Sequence, residues 1–222
     1  MFNGFTDKTF EFFMALRFNN NREFFYDNHD WYMESVRRPL IALAAELGDE
    51  IKNTDENLEL RPERNVSRIN RDLRFSRDKS PYRDWMWISF YDSADRYGSI
   101  GFYADISAEH VGWGVGIYDE NRALMDAHRK RLSGHAPEFI SLIDGLGSDF
   151  GVNLSSRKRM QIPEALPEKV KKWYPLRSFD ISNATRDIKL MTSPELADVI
   201  KRDYARLSAV YKWFAARKAE II

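Results

Sequence analysis

Eight basic residues lie between Arg61 and Arg83: Arg61, Arg64, Arg68, Arg71, Arg74, Arg77, Lys79 and Arg83. Only Glu63, Asp72 and Asp78 oppose them, so the segment carries +5 inside a chain whose total charge is zero. Seven of the eight are arginine. A guanidinium offers a planar fork of donors that matches pairs of phosphate or carboxylate oxygens, whereas an ammonium is closer to a point charge. Arg68, Arg71, Arg74 and Arg77 recur every third residue. On a helix or tight turn that spacing gathers several on one side. Ser80-Pro81 ends any helix there and favours extended backbone. The chemistry this predicts is capture of a phosphate- or carboxylate-bearing ligand. Arg68, Arg71 and Arg74 would be the clamps and Lys79 a further cation. Tyr82 would offer a hydroxyl, and Asp72 or Asp78 would orient an arginine or act as a base. The same residues also suit an internal Arg–Asp network that pins a long connection to the fold.

Other constellations carry less. Gly112, Gly114 and Gly116 alternate along one strand pattern. Close packing of a helix or a large aromatic is the expected cause, and a floor for a flat ligand is the alternative. No Gly-Lys-Ser/Thr follows, so this is not a phosphate-binding loop. His29, His110, His128 and His135 form no ligand pair, so neither metal nor cofactor is expected. No nucleophile elbow supports a Ser-His-Asp triad. Arg157, Lys158, Arg159, Lys169, Lys171 and Lys172, with Trp173 and Tyr174, form a second basic region flanked by aromatics. That pairing suits nucleic acid, or a solvated helix face beside a core aromatic.

The stretch from Arg68 to Tyr82 resembles the signature of DUF2461, a family of uncharacterised bacterial proteins whose domain also occurs in longer fungal proteins. The resemblance extends to Phe2-Asn-Gly-Phe5, to Asn19-Asn20 with Arg22 and Phe25, and to the aromatic strand after Tyr82. It implies a bacterial chain of one domain over residues 1–222. It also marks Arg68, Arg71, Asp72, Arg74, Phe75, Asp78, Lys79 and Tyr82 as motif positions. It names no substrate and leaves open whether the protein is an enzyme.

The elements that must position these residues can be read from periodicity. Thr6 predicts a helix cap, with Phe5 and Phe10 at the spacing of a hydrophobic staple, and the helix ends near Phe18. Asn20 is expected to cap a second helix through Phe24, Phe25, Trp31 and Tyr32, with Glu23 at the capping-box position. Pro39 kinks or restarts it, and Leu40, Leu43, Ala44, Leu47 and Ile51 continue a helical stripe. From Trp85 the period changes to two. Trp85 to Tyr91, Ile100 to Ile106 and Val111 to Ile117 predict a three-stranded antiparallel meander. Asp119 is expected to cap a helix through Leu132, and Pro137 to start another bearing Phe139, Leu142, Ile143 and Leu146. Arg157 to Ile162 and Leu176 to Ile181 predict strands around a Pro-bounded helix. Ser193-Pro194 opens a long last helix. Helices, then strands, then helices predict an α+β fold, an antiparallel sheet with the meander at its centre and terminal helices packed on it.

Composition bounds what remains. Of 222 residues, 43% are hydrophobic and 14% aromatic, enough for a sizeable core. There are no cysteines, which excludes disulfides and fits a reducing compartment. The N-terminus lacks a signal-peptide pattern, and Leu40 to Leu47 is too short to span a bilayer. A cytoplasmic protein without a membrane partner is expected. The leading functional reading is a small anionic ligand held by the Arg68–Tyr82 motif. The alternatives are a nucleic-acid-binding protein, or a partner-binding scaffold in which that motif is structural. Oligomeric state is not legible.

Overall fold

A computed structural model of the protein describes residues 1–74, 77–95 and 98–215. The first helix, α1 (Asp7–Phe18), starts as its sequence demands: Thr6 is extended and its N–H donates to Thr9 Oγ1 at 3.1 Å. Phe5 and Phe10 close the staple edge to face, ring centres 6.5 Å apart. The next segment is broken into α2 (Arg22–Asp27), α3 (His29–Tyr32), a π-helical stretch Met33–Arg37, and α4 (Arg38–Thr54). Pro39 supplies the reason. It has no N–H to give to the carbonyl of Ser35, and its ring crowds that carbonyl. The Ser35 carbonyl instead accepts the buried Thr9 Oγ1–H at 2.6 Å, which ties α1 to the break. Leu40, Leu43, Ala44, Leu47 and Ile51 are all buried, and α4 packs on the last helix, α10 (Glu195–Ala215).

The cap of α2 is Asn21, one residue later than expected; its side chain accepts the Phe24 N–H at 2.9 Å. Asn20 is otherwise occupied. Its Nδ2 donates to the carbonyl of Tyr82 at 2.9 Å and its Oδ1 accepts the Tyr82 N–H at 3.0 Å. One side-chain amide thus replaces a strand partner 62 residues away in sequence. Asn20→Ala would leave both backbone groups unpaired, at a cost of about 1–3 kcal/mol. Thermal melting should show that loss, and hydrogen exchange should quicken at Arg71 and Arg83, whose amides sit in the same stem. Unchanged exchange there would contradict the account.

The sheet has five antiparallel strands in the order β1-β2-β3-β5-β4: β1 (Trp85–Phe90), β2 (Gly101–Ser107), β3 (Val111–Ile117), β4 (Gly151–Ser156) and β5 (Leu176–Thr185). The fold is therefore α+β, and the meander β1-β2-β3 forms one side of the sheet rather than its centre. Residues 157–162 are not a strand. Pairing with β5 is taken by β4 and ends at an irregularity at Ser155/Ser156, after which Arg157 turns to Glu120 in an ion pair. A short helix, α5 (Pro62–Asn65), precedes the sheet. The helices α6 (Arg122–Gly134), α7 (Ala136–Gly145), α8 (Glu168–Lys171) and α9 (Ile188–Met191) complete the elements used here. Asn121, not Asp119, caps α6, accepting the Leu124 N–H at 3.1 Å. The neighbouring Glu120 serves Arg157 and Arg177 instead.

Alternation gives the sheet two unlike faces. Met86, Ile88, Phe90, Phe102, Ala104, Ile106, Val111, Trp113, Val115, Phe179 and Ile181 are buried in the core with α4 and α10. Trp113 Nε1–H donates to Asp203 on α10 at 2.8 Å. The other face is polar. Its rows run Trp87, Asp105, Gly112; then Tyr103, Gly114, Ser182; then Gly116, Asp180, Asn153. Trp85 and Asn153 are exposed at its rim, while Trp87, Tyr103, Asp105, Asp180 and Ser182 are half-buried. Among the described residues no helix is long and apolar enough to cross a membrane.

Candidate functional site

The basic motif is a hairpin against the outer edge of β1. Leu58, Val66 and Asn70 bridge Asp92, Ile88 and Tyr82, so this stretch covers an edge that would otherwise be open. Arg71 N–H donates to the Pro81 carbonyl at 2.9 Å, and Arg83 N–H donates to the Ile69 carbonyl at 2.8 Å. Asn20 holds the stem from the helical side, and the buried Tyr82 ring stacks on Phe25 at 4.3 Å. Tyr82 is thereby core material. Phe75 lies outside the described residues.

The remaining motif residues separate into paired and unpaired cations. Arg71 forms an ion pair with Asp78. Arg74 forks onto Asp72, Nη2 to Oδ2 at 2.6 Å. Hydrogen bonds from Arg74 hold the Asp72 carboxyl at about 2. Ser80, with Arg71 behind it, holds Asp78 well below the carboxylate range. Both aspartates are firmly ionised and are poor proton acceptors near neutrality. Lys79 Nζ is tethered to the Leu73 carbonyl at 3.1 Å. These pairs are local and solvated, so each is worth little to stability. Arg68 is exposed and has no ion-pair partner among the described residues. Arg83 is half-buried. Its Nη1 donates to the carbonyls of Arg68, at 3.0 Å, and Asn70, and its guanidinium lies 5.0 Å over the Trp87 ring. Among the described residues no carboxylate pairs with it. Burial, with Arg71 nearby, lowers its pKa, and the charge of Asp72, which is not in contact, offsets this only in part: this cation is costly to keep without a contacting counter-charge.

Trp87 shares a row with Asp105 and Gly112, which brings Arg83 onto the polar sheet face. On that face Asp105 Oδ2 meets His110 Nε2 at 3.0 Å, and His110 Nδ1 meets Ser107 Oγ at 2.8 Å. Glu109, in the turn between β2 and β3, binds Arg17 from α1, which also holds Asp84 at 2.6 Å. Across the face Tyr103 Oη donates to Asp180 Oδ1 at 2.6 Å, and Ser182 Oγ donates to Asp180 Oδ2 at 2.7 Å. Burial raises the Asp105 carboxyl, and the charge of Asp180 raises it further while His110 opposes both. Burial likewise pushes the Tyr103 phenol far up.

The three alternate glycines have a cause that is neither a helix nor an aromatic. A Cβ on Gly114 would stand 2.4 Å from the Ile181 carbonyl oxygen, and one on Gly116 would stand 2.6 Å from that of Phe179. At Gly112 the space is filled by the Asp105 carboxylate, whose Oδ1 lies 2.7 Å from where a Cβ would be. The central strand is bare because its neighbours lean over it.

Sequence reasoning found the arginine hairpin but not Asp105, His110, Tyr103, Asp180 or the role of Trp87. A signal existed: if Phe102, Ala104 and Ile106 face the core, Tyr103 and Asp105 must face the other way. The second basic region is dispersed. Trp173 is in the core, Lys169 pairs with Asp144 at 2.6 Å, and Lys171 pairs with Glu168 at 2.8 Å. Among the described residues no group of three or more His, Asp or Glu is placed to hold a metal ion.

Fold and site together define an α+β protein with an arginine hairpin beside a polar, aromatic-rimmed sheet face. The chain belongs to the family described as "Conserved hypothetical protein (DUF2461)", whose model matches residues 8–213. A comparison with curated proteins found no match.

Proposed function

We propose that this protein binds a small ligand bearing a phosphate or carboxylate group, received by Arg83 with Arg68 beside it. The rest of the ligand would lie along the sheet face over Trp87 and the glycines. One observation carries the reading: Arg83 is a half-buried guanidinium stacked on an aromatic, hydrogen-bonded only to carbonyls, and without a carboxylate partner among the described residues. Arg71 and Arg74 are already paired with their own carboxylates. Asp84, Asp105, Glu109 and Asp180 share the region, so a long polyanion would meet repulsion that a small anion escapes. This disfavours nucleic acid. The cysteine-free sequence and the family resemblance suit a bacterial cytoplasmic setting.

Inorganic phosphate, pyrophosphate, nucleotides and di- and tricarboxylates should be screened by thermal shift. A true ligand at about a hundred times its Kd adds about 2.7 kcal/mol. Arg83→Lys keeps the charge but loses the fork, and should weaken binding tenfold or more. Arg74→Ala should leave binding within twofold. If no anion raises the melting temperature, or if Arg83→Lys binds as wild type does, the proposal is wrong.

A further inference from the structure

We infer that Asp105 is a catalytic base, taking a proton from a molecule seated on the polar sheet face, with His110 as the residue that positions it. The inference concerns the same face as the anion site and adds a reaction to it. Asp105 Oδ2 is fixed by His110 Nε2 at 3.0 Å, and the other imidazole nitrogen meets Ser107 Oγ at 2.8 Å. With the carboxylate ionised, the Nε2–H donates to Asp105 and Nδ1 accepts the Ser107 O–H, so one tautomer of a neutral ring satisfies both contacts. Ser107 Oγ in turn accepts the Glu109 N–H at 3.2 Å. The ring is held from both sides, and the carboxylate is held by the ring.

The second oxygen is different. Among the described residues Asp105 Oδ1 accepts no hydrogen bond. It lies over Gly112, in space that a Cβ would fill. A carboxylate with one oxygen anchored and the other bare on a half-buried face has the form of a general base. Ser107 is buried and its hydroxyl is spent on the turn, so the geometry favours proton transfer over nucleophilic attack by that serine. In the step proposed, the X–H bond of the ligand breaks, the proton goes to Asp105 Oδ1, and the bonding pair stays on the ligand. The groups that act on Asp105 are His110 from the turn between β2 and β3 and Asp180 from β5, and its charge in turn raises the phenols of Tyr103 on its own strand and Tyr204 from α10.

The test uses 5-nitrobenzisoxazole, a flat, uncharged probe. A base removes its ring C–H proton. That electron pair completes a nitrile as the N–O bond breaks, and the oxygen leaves as a coloured phenolate. Wild-type protein should open the ring roughly a hundredfold faster than the same concentration of acetate, the lower range for a positioned base. Asp105→Asn should return the rate to background. Gly112→Ala should slow it at unchanged melting temperature, because only the far end of the Asp105 side chain must move. His110→Gln should move the rise of the rate to higher pH and Asp180→Asn to lower pH, since the first removes a group that lowers the Asp105 pKa and the second one that raises it. A wild-type rate no better than acetate, an undiminished Asp105→Asn, or shifts of the opposite sign would overturn the inference. The probe carries no charge, so this outcome is independent of the anion screen. Ring opening by the wild-type protein while no anion raises its melting temperature, or an anion-induced shift without ring opening, would separate the two claims.

Discussion

Taking the protein from pH 7 to pH 4 should remove about 3 kcal/mol of folding stability through His128 alone. His128 lies on α6 inside the aromatic core, stacked on Phe214 at 4.6 Å and edge-on to Phe139 at 5.5 Å. Its Nε2–H donates to the Trp173 carbonyl at 2.9 Å, and its Nδ1 accepts the Trp213 Nε1–H at 3.0 Å. Only the neutral ring can do both. A second proton would sit on Nδ1, facing another N–H donor. Burial therefore pushes the His128 pKa down from 6.5 to about 4, against the pull of the Trp173 carbonyl. The folded pKa is depressed, so between those values the unfolded chain binds a proton that the native state refuses. The stabilising contribution is whole above pH 6.5 and is lost as pH falls to about 4. Carboxylates held low, such as Glu59 at about 2 through its hydrogen bonds to Arg61, lose their contribution only as pH falls through the unfolded value of 4.5, so they add to the acid end of this window in wild type and variant alike. Urea unfolding at several pH values should show the decline. His128→Gln, which keeps a donor and an acceptor but does not titrate, should flatten it. An equal pH slope in the two proteins would refute the assignment.

Gly114→Ala should cost roughly 2–3 kcal/mol, and more if the strand cannot part. The added Cβ would stand 2.4 Å from the Ile181 oxygen and 2.9 Å from Ser182 Cα, both on β5. Gly114 lies mid-sheet, paired with Tyr103 on one side and Ser182 on the other, so neither neighbour can move without breaking its ladder. Gly112→Ala meets only the carboxylate end of Asp105 and should cost far less. Gly48 is a control of the opposite sign. It lies inside α4 with nothing within 4 Å of a new Cβ, so Gly48→Ala should add about 0.5–1 kcal/mol. Urea midpoints would rank the three. If Gly114→Ala proved no worse than Gly112→Ala, the close approach of β5 would not be what keeps this strand bare.

These residues show where sequence reading succeeds and where it stops. The Phe5–Phe10 staple, the α4 stripe and the two-residue period of β1 to β3 are local patterns, and each appears where it was expected. Local chemistry alone also accounts for Asp72 and Arg74, which are two residues apart and pair with each other. Two caps lie a residue or two beyond the expected positions, Asn21 for α2 and Asn121 for α6. Asn20 was drawn to Tyr82, and Glu120, beside the expected cap Asp119, was drawn to Arg157 and Arg177.

The candidate site follows the same division. The sequence by itself determined that the chain is α+β, that an arginine-rich unit runs from Arg68 to Tyr82, and that alternation must put Asp105 opposite the core. It could not say which guanidiniums lack a carboxylate, because pairing depends on where distant segments meet. The fold set Arg83 over Trp87 with no carboxylate in contact among the described residues, set His110 against Asp105 across a turn, and leaned Asp105 over Gly112. The physical reason is plain: periodicity assigns a face, a property of a few neighbouring residues, whereas a site is a set of distances between strands, and those distances exist only once the sheet has closed.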